Sequence, residues 1–433
     1  ELIVENKKDE KVFTRQLKIQ TFLIGIIFAA DFIFAFAESN FLNTYLIHVL
    51  NLTELHVAVM VALSATVGLI FLLVWGIISD NTRSKYGRRR PYLLLGGIVS
   101  GIAMIIYAFA PDYYWALILD VIIIGIFSNA YFASQRVLVP DIIEPELRGR
   151  ANGIVQAFAN IGVLIAVAIF LISYELFAVD NPRGSGTILT QEGHLFVLGL
   201  GGIGFALCGL VGFLFIKEKP VSELPPKKKF FVELKEIMDI NEFRKQKEFY
   251  KITLAYLVFY IGIGCILPFL FIYIFSLGLT TMELLAAIGL GFPILIVSTI
   301  YLGKLADKHG RKKFVPISLI ILSIGVSLTI FVRTNTGFNL LLFFIVLPFI
   351  LVAVLGVRTL FDTWSQDLLP PDKRGKFFGI LNIVFTVSQI IGALAAGIVA
   401  TMFGVDWIFP LGALFFLLSI LFFLRVKETL IIK

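Results

Sequence analysis

Charge is scarce in this chain. Only 15% of its 433 residues are Asp, Glu, Lys or Arg, and 58% are hydrophobic, with a mean hydropathy of +0.92; soluble chains carry about 25% charged residues. Such a chain cannot cover itself with polar surface in water, so lipid has to surround it. Cysteine is nearly absent too: Cys208 and Cys265 both fall inside apolar stretches, which excludes a disulfide scaffold and makes both small packing residues. Histidine is represented by His48, His56, His194 and His309, in or near loops and without ligand-like spacing, so no metal site is expected. The apolar stretches also lack the alternation over about 10 residues that marks barrel strands.

What is present is a succession of apolar runs near the length of about 20 residues that a spanning helix needs. Twelve are predicted, over 19–48, 55–79, 91–110, 112–140, 150–178, 194–216, 250–276, 282–306, 313–332, 338–368, 375–403 and 405–426. The charged stretch Glu1 to Gln20 precedes a first run that is a full span rather than a short signal core, so no cleavable leader is expected.

The formal charge of +7 is explained by topology rather than by nucleic acid. Arg and Lys crowd one set of loops: Lys7 to Lys18, Arg83 to Arg90, Arg148 and Arg150, Lys217 to Lys251, Lys304 to Lys313, Lys373 to Lys376 and the C-terminus. The alternate loops hold only Arg183 and Arg333. The positive-inside rule then predicts a multi-pass protein of the cell membrane with both termini cytoplasmic.

One long polar interruption, with Pro220, Pro225, Pro226 and Lys227 to Lys229, separates six spans from six. The expected organisation is a six-helix unit over 1–216, a basic amphipathic linker over 217–250 that lies on anionic lipid, and a second six-helix unit over 251–433. The two units repeat. Arg148-Gly149 after span 4 returns as Arg374-Gly375 after span 10, offset by 226, and Gly76…Asp80 after span 2 returns as Gly303…Asp307 after span 8, offset by 227. Each of the latter is followed by a glycine and basic residues: Gly87-Arg88-Arg89 and Gly310-Arg311-Lys312. Duplicated bundles of this kind build transporters that alternate access around a midplane site.

At these residues the chain resembles the major facilitator superfamily, over its whole length. The resemblance implies an all-α polytopic fold of twelve transmembrane helices in two pseudo-symmetric six-helix bundles, with Gly76, Asp80, Arg83, Gly87, Arg88, Arg89, Asp141, Arg148, Gly149, Gly303, Asp307, Gly310, Arg311, Arg374 and Gly375 forming the gating motifs. Acids at helix ends and guanidinium groups can bind each other strongly there, and rocking of the halves would break them. The run Ser79 to Pro91, together with Asp31-Phe32 and with Ser128-Asn129, Arg136 and Asp141 on span 4, is similar to the sucrose/proton symporters and, more distantly, to the glycoside-pentoside-hexuronide:cation symporters. Where the latter hold sodium with acids on span 2, this chain has Gly68 and Leu72, and the span 4 acid is replaced by Phe132. The proton is therefore the expected coupling ion, rather than sodium, and no other cofactor is expected.

A charge at the bilayer centre costs about 2.5–3.5 kcal/mol on insertion scales, so each one needs a reason. Asp31 and Glu38 are seven residues apart on span 1, as are Asn129 and Arg136 on span 4 and Asn382 and Gln389 on span 11; Arg358 and Asp362 are four apart on span 10. These polar stripes point to one shared aqueous cavity. Subtracting 226 puts Asp362 at the position of Arg136, so opposite charges occupy equivalent places. Asp120 lies sixteen residues before Arg136, about 160° away around a regular helix, and is expected to face elsewhere.

Asp31, Glu38 and Asp362 are the candidate proton-coupling acids, because burial raises a carboxyl pKa while a movable arginine lowers it; permanent buried ion pairs are the other reading. Asn129, Arg136, Arg358, Trp364, Asn382 and Gln389 are the candidate substrate contacts, with Tyr131, Tyr256 and Tyr260 as further stacking surfaces. The arginines suit sugar hydroxyls, the acids or an anionic substrate alike. Gly97 and Gly101 are read as close helix contacts, and Gly199-Leu-Gly201-Gly-Ile-Gly204 is not read as a dinucleotide fingerprint, since no strand precedes it. The expected function is proton-coupled symport of a small molecule, a disaccharide or glycoside, by a monomer without nucleic acid or enzyme activity. An organic-anion carrier, a proton-coupled antiporter and a non-transporting sensor on the same fold are the alternatives.

Overall fold

The computed structural model describes residues 13–224, 226–227, 230–231, 246–334, 337–357, 361, 364–365, 368 and 374–428. Among them the chain forms α1 (Arg15–His48), α2 (Glu54–Asn81), α3 (Arg90–Tyr107), α4 (Tyr113–Ile142), α5 (Pro145–Phe177), α6 (Gln191–Phe215), α7 (Lys247–Leu277), α8 (Thr281–His309), α9 (Arg311–Phe331), α10 (Leu340–Val354), α11 (Arg374–Phe403) and α12 (Val405–Phe423). Over the described residues, eleven of these are long and apolar enough to cross a membrane, and α10 is described over fewer residues. Helix is what lipid demands, because each backbone polar group must find its partner within the segment.

Helix starts are marked by side chains that take the first free N–H groups. Thr14 accepts from Leu17 N (3.3 Å), Asp112 from Trp115 N (3.0 Å), Thr190 from Gly193 N (3.4 Å) and Asn339 from Leu342 N (3.0 Å). Thr280 and Glu283 form a reciprocal capping box at the start of α8. Pro268 tightens α7 into a 3-10 turn over Leu267–Phe269.

The helices pair in the same way in both units: α3 on α6 as α9 on α12, α1 on α5 as α7 on α11, and α1 on α6 as α7 on α12. Small residues let these pairs approach. A Cβ on Gly101 would stand 2.4 Å from Gly202 O, and one on Gly97 would be 3.0 Å from Gly209 Cα, so α3 and α6 meet backbone to backbone. Gly202 belongs to the glycine-rich run of α6, and its role there is packing.

Between the units α2 runs against α11, and a Cβ on Gly397 would lie 2.3 Å from Ala58 Cβ. Two short hairpins complete the fold on the face opposite the basic loops: β1 (Ala178–Asp180) with β2 (Thr187–Leu189), and β3 (Arg333–Thr334) with β4 (Gly337–Phe338), both antiparallel.

The predicted runs coincide with these helices to within a few residues at most ends. The tenth run spans 338–368 in the sequence; regular helix is described over Leu340–Leu351, a π-helical stretch over Val352–Gly356, and helix again at Val357, Phe361, Trp364 and Ser365. Arg358 and Asp362 lie outside the described residues, as does most of the linker segment predicted to be amphipathic.

Candidate functional site

A cavity of about 510 Å³ opens between the two units. Its walls carry Glu38, Ser39, Asn40 and Asn43 from α1, Ser64 from α2, Asp120, Ser128 and Asn129 from α4, and Gln389 from α11, with the rings of Phe32, Phe36 and Phe132. Among its lining residues there is no Lys, Arg or His.

Two departures from regular helix create this wall. Residues Glu38–Leu42 of α1 and Ile118–Ile124 of α4 are π-helical. A wider turn takes up an extra residue and rotates what precedes it by about 100° relative to a regular helix. Asp120 and Asn129 would lie about 180° apart on a regular helix, yet both face the cavity. The expectation that Asp120 faces elsewhere is thereby corrected. Asp120 is 3% exposed and accepts a hydrogen bond from Ser64 Oγ at 3.4 Å. Asn43 donates to Ser39 O (2.8 Å) and, across the units, to Pro268 O (3.1 Å), the carbonyl beside the break in α7.

The predicted site residues separate into groups. Glu38, Asn129 and Gln389 line the cavity. Asp31 does not; its Oδ2 accepts from Gln135 Nε2 at 2.8 Å, which ties α1 to α4. Arg136, the next residue, is exposed and is not among the lining residues, nor is the exposed Asn382. Trp364 is fully buried, stacked on Phe423, with its indole N–H directed to Lys427 O at 3.3 Å. It serves packing rather than sugar stacking. Tyr131 donates to Ile27 O at 3.1 Å and packs on Phe205, Tyr256 donates to Phe361 O, and Tyr260 stands edge-on to Phe385. The aromatic walls are phenylalanines instead: Phe32, Phe36 and Phe132.

A second polar centre lies at the basic loops. Asp141 Oδ1 meets Arg88 Nη2 at 2.7 Å and Asp141 Oδ2 meets Arg89 Nε at 3.1 Å. Asp80 pairs with Arg89 and stands 3.9 Å from Arg88, while Arg89 Nη1 donates to Ser79 Oγ at 2.6 Å. These described partners all belong to the first unit, so the cluster staples α2, α3 and α4 together. Arg83 caps the end of α2 through Asp80 O (2.8 Å) and Thr82 O (2.9 Å), and Arg148 does the same for α4 through Ile143 O (3.1 Å) and Pro140 O (2.8 Å). Gly76 and Gly149 have open space where a side chain would stand.

Glu218, which follows α6, is a further member of this centre that is not among the residues expected from the sequence. Its carboxylate accepts the backbone N–H groups of Arg88 (2.7 Å), Arg89 (2.9 Å) and Arg90 (2.8 Å) at the start of α3. Gly87, at φ +104°, leaves room for it: a Cβ there would meet Glu218 Oε1 at 2.6 Å. Glu428 repeats the arrangement after α12, accepting Lys312 N at 2.8 Å beside Gly310, at φ +85°, and the buried Arg311. The signal lay in Ile216-Lys217-Glu218 and Val426-Lys427-Glu428, a repeat too short to stand out. Gly303, Asp307, Arg374 and Gly375 stand in α8 and α11, and their side chains lie outside the described residues.

The family model described as Major Facilitator Superfamily matches residues 22–303 and 284–431. The chain is 25% identical over 385 residues to the multi-drug resistance efflux pump PmrA of Streptococcus pneumoniae, with 86% of each covered. It is 24% identical over 241 residues to the sucrose transport protein SUC3 of Arabidopsis thaliana, covering 50% of this chain and 40% of that protein. Several of the curated relatives it matches are spanned over only 27% to 44% of their length. In structure it is similar to the nucleoside transporter NupG, with a TM-score of 0.72 at 12% identity, covering 94% of this chain and 98% of that one. With both units matched by the family model and a polar cavity between them, the chain belongs to the major facilitator superfamily of membrane transporters.

Proposed function

We propose that this protein is a proton-coupled symporter for a neutral polyhydroxylated solute, a disaccharide or glycoside, working by alternating access as a monomer with its basic loops and both termini in the cytoplasm. The observation that carries this reading is the cavity wall. Side-chain amides and hydroxyls on α1, α2, α4 and α11 supply both donors and acceptors, as sugar hydroxyls require. Phe32, Phe36 and Phe132 supply flat apolar surfaces for the faces of a ring. Glu38 and Asp120 are the protonatable groups, set in a low-dielectric wall where two nearby carboxylates resist ionising together. The similarity to a sucrose transport protein agrees with this choice.

One observation favours a second reading. A cavity with two carboxylates and no basic residue among its lining residues also suits an organic cation exported in exchange for protons, and the relative matched over 86% of both chains is an efflux pump. The same acids weigh against an organic anion.

The test is pH inside proteoliposomes of the purified protein on addition of sucrose, maltose or a related glycoside, with and without sodium. Sugar-dependent proton entry without sodium is expected. Proton movement only with a lipophilic cation would replace the symport reading with efflux.

A further inference from the structure

On the face opposite the basic loops, one element of the first unit reaches across to the second. The β1–β2 hairpin joins α5 to α6, and its turn carries Ser185 and Gly186. Gly186, at φ +87°, lies flat against the end of α7: a Cβ on it would stand 2.5 Å from both Phe275 O and Ser276 O. Facing it is Gly278, the left-handed cap of α7 at φ +70°, where a Cβ would be 3.0 Å from Gly186 Cα. Side chains larger than hydrogen are excluded on both sides.

The last carbonyls of a helix have no partner within it, and the first unit supplies donors at the end of α7. Tyr174 Oη donates to Leu279 O at 2.5 Å, and Thr187 Oγ1 reaches Phe275 O at 3.4 Å. Arg333, from the β3–β4 hairpin, ties the assembly together. Its Nε meets Asp406 Oδ2 at 2.8 Å, Nη2 donates to Ser276 Oγ at 2.7 Å, and Nη1 donates to Ser276 O at 3.2 Å and, across the units, to Ser185 Oγ at 2.9 Å. Behind the hairpin His48 accepts the Leu189 N–H at 3.2 Å and sets its ring edge-on to Phe275 at 4.8 Å.

We propose that the β1–β2 hairpin is the latch that holds this face of the transporter closed, and that Arg333 is its positioning residue, anchored in the second unit by Asp406 and Ser276 and engaging the first through Ser185. Opening this face breaks the bonds of Tyr174, Thr187 and Ser185 together and leaves Arg333 with its own unit. The latch concerns which face is open rather than what is carried, so it stands or falls separately from the symport reading.

The experiment measures the distance between spin labels on the two units at this face, in the full-length protein in nanodiscs and without substrate. Tyr114→Cys and Leu341→Cys serve as label sites, being 76% and 73% exposed, in a Cys208→Ser/Cys265→Ala background. Tyr174→Phe/Ser185→Ala removes two bonds across the units, together with the Tyr174 hydroxyl's bond to Thr187 within the first, and adds no atom; Gly186→Val drives a side chain into the carbonyls. Both are expected to raise the long-distance population at least twofold. Arg333→Gln is expected to do the same and Arg333→Lys to restore part of the closed state, because lysine keeps the charge beside Asp406 without the fork that bridges two serines. Thr66→Ala, which removes only a bond to Ala62 O within α2, is the control. Distances in Tyr174→Phe/Ser185→Ala equal to the parent's, or an equal shift in the control, would overturn the latch. If Gly186→Val does not fold, that double variant still decides.

Discussion

Both carboxylate oxygens of Glu218 accept the backbone N–H of Arg89, at 2.9 and 3.1 Å. The acid thus sits on the positive end of α3 and ties the chain leaving the first unit to the arginines of the loop between α2 and α3. A charged group at a helix N-terminus that also takes free N–H groups contributes about 0.5–2 kcal/mol. Glu218→Ala is expected to lower the midpoint of thermal unfolding in detergent, and Glu218→Gln to fall between it and the parent. An unchanged midpoint in Glu218→Ala would mean that Glu218 does not stabilise the start of α3.

Asp141 and Asp80 both bind Arg88 and Arg89, but not equally. The Asp141 side chain is 21% exposed and meets one nitrogen on each arginine, whereas Asp80 is 44% exposed and holds one of them closely. Water can replace more of what Asp80 supplies. Removing a partner from a buried pair costs about 3–5 kcal/mol, and from an exposed pair about 0–1 kcal/mol. Asp141→Asn is therefore expected to lose clearly more stability than Asp80→Asn in the same unfolding assay. Because the two acids share their arginines, the double variant is expected to cost less than the sum of the singles. Equal single losses and strict additivity would show that the cluster does not act as a unit.

If Glu38 and Asp120 carry the proton, neutral replacements should separate coupling from transport. Glu38→Gln and Asp120→Asn are expected to keep exchange of labelled substrate across the membrane while losing accumulation driven by a proton gradient, and their exchange rate should no longer follow pH. Asp31→Asn is expected to keep accumulation and to lose stability instead, since Asp31 is bonded to Gln135 at 2.8 Å and lies outside the cavity lining. Retained accumulation in Asp120→Asn together with its loss in Asp31→Asn would return the coupling role to Asp31.

Asp120 also shows where reading the sequence stops. The spans, their pairing by repeat and the loop cluster of Asp80, Arg88, Arg89 and Asp141 were legible, since apolar length and basic loops follow directly from the cost of placing charge in lipid. The face on which Asp120 stands was not. It depends on a π-helical turn over Ile118–Ile124, which nothing in ILDVIII announces. The same holds for residues that meet only through tertiary packing. His48 and His194 lie far apart along the chain, yet their rings stand 5.7 Å apart. Arg333 read as one of two stray cations in the sparsely charged loops, and its partners Ser185, Ser276 and Asp406 carry no pattern at all. Trp364 erred in the other direction: an aromatic near a polar stripe suggested a sugar platform, and close packing against Phe423 claimed it.

The glycine-rich run of α6 allows a sharp comparison within six residues. Alanine is favoured over glycine in a helix by about 1 kcal/mol, wherever its methyl group has room. Beside Gly199 and Gly204 there is nothing within 4 Å of an added Cβ, but on Gly202 that atom would stand 2.4 Å from Gly101 O. Gly199→Ala and Gly204→Ala are thus expected to be neutral or slightly stabilising. Gly202→Ala should force α3 and α6 apart, and overpacking of this kind costs about 1–3 kcal/mol. Because the obstacle is a backbone carbonyl rather than the end of a flexible side chain, no rotamer change relieves it. Unfolding midpoints of the three variants, measured side by side, check the order; a Gly202→Ala protein as stable as Gly199→Ala would mean that α3 and α6 do not meet at this point.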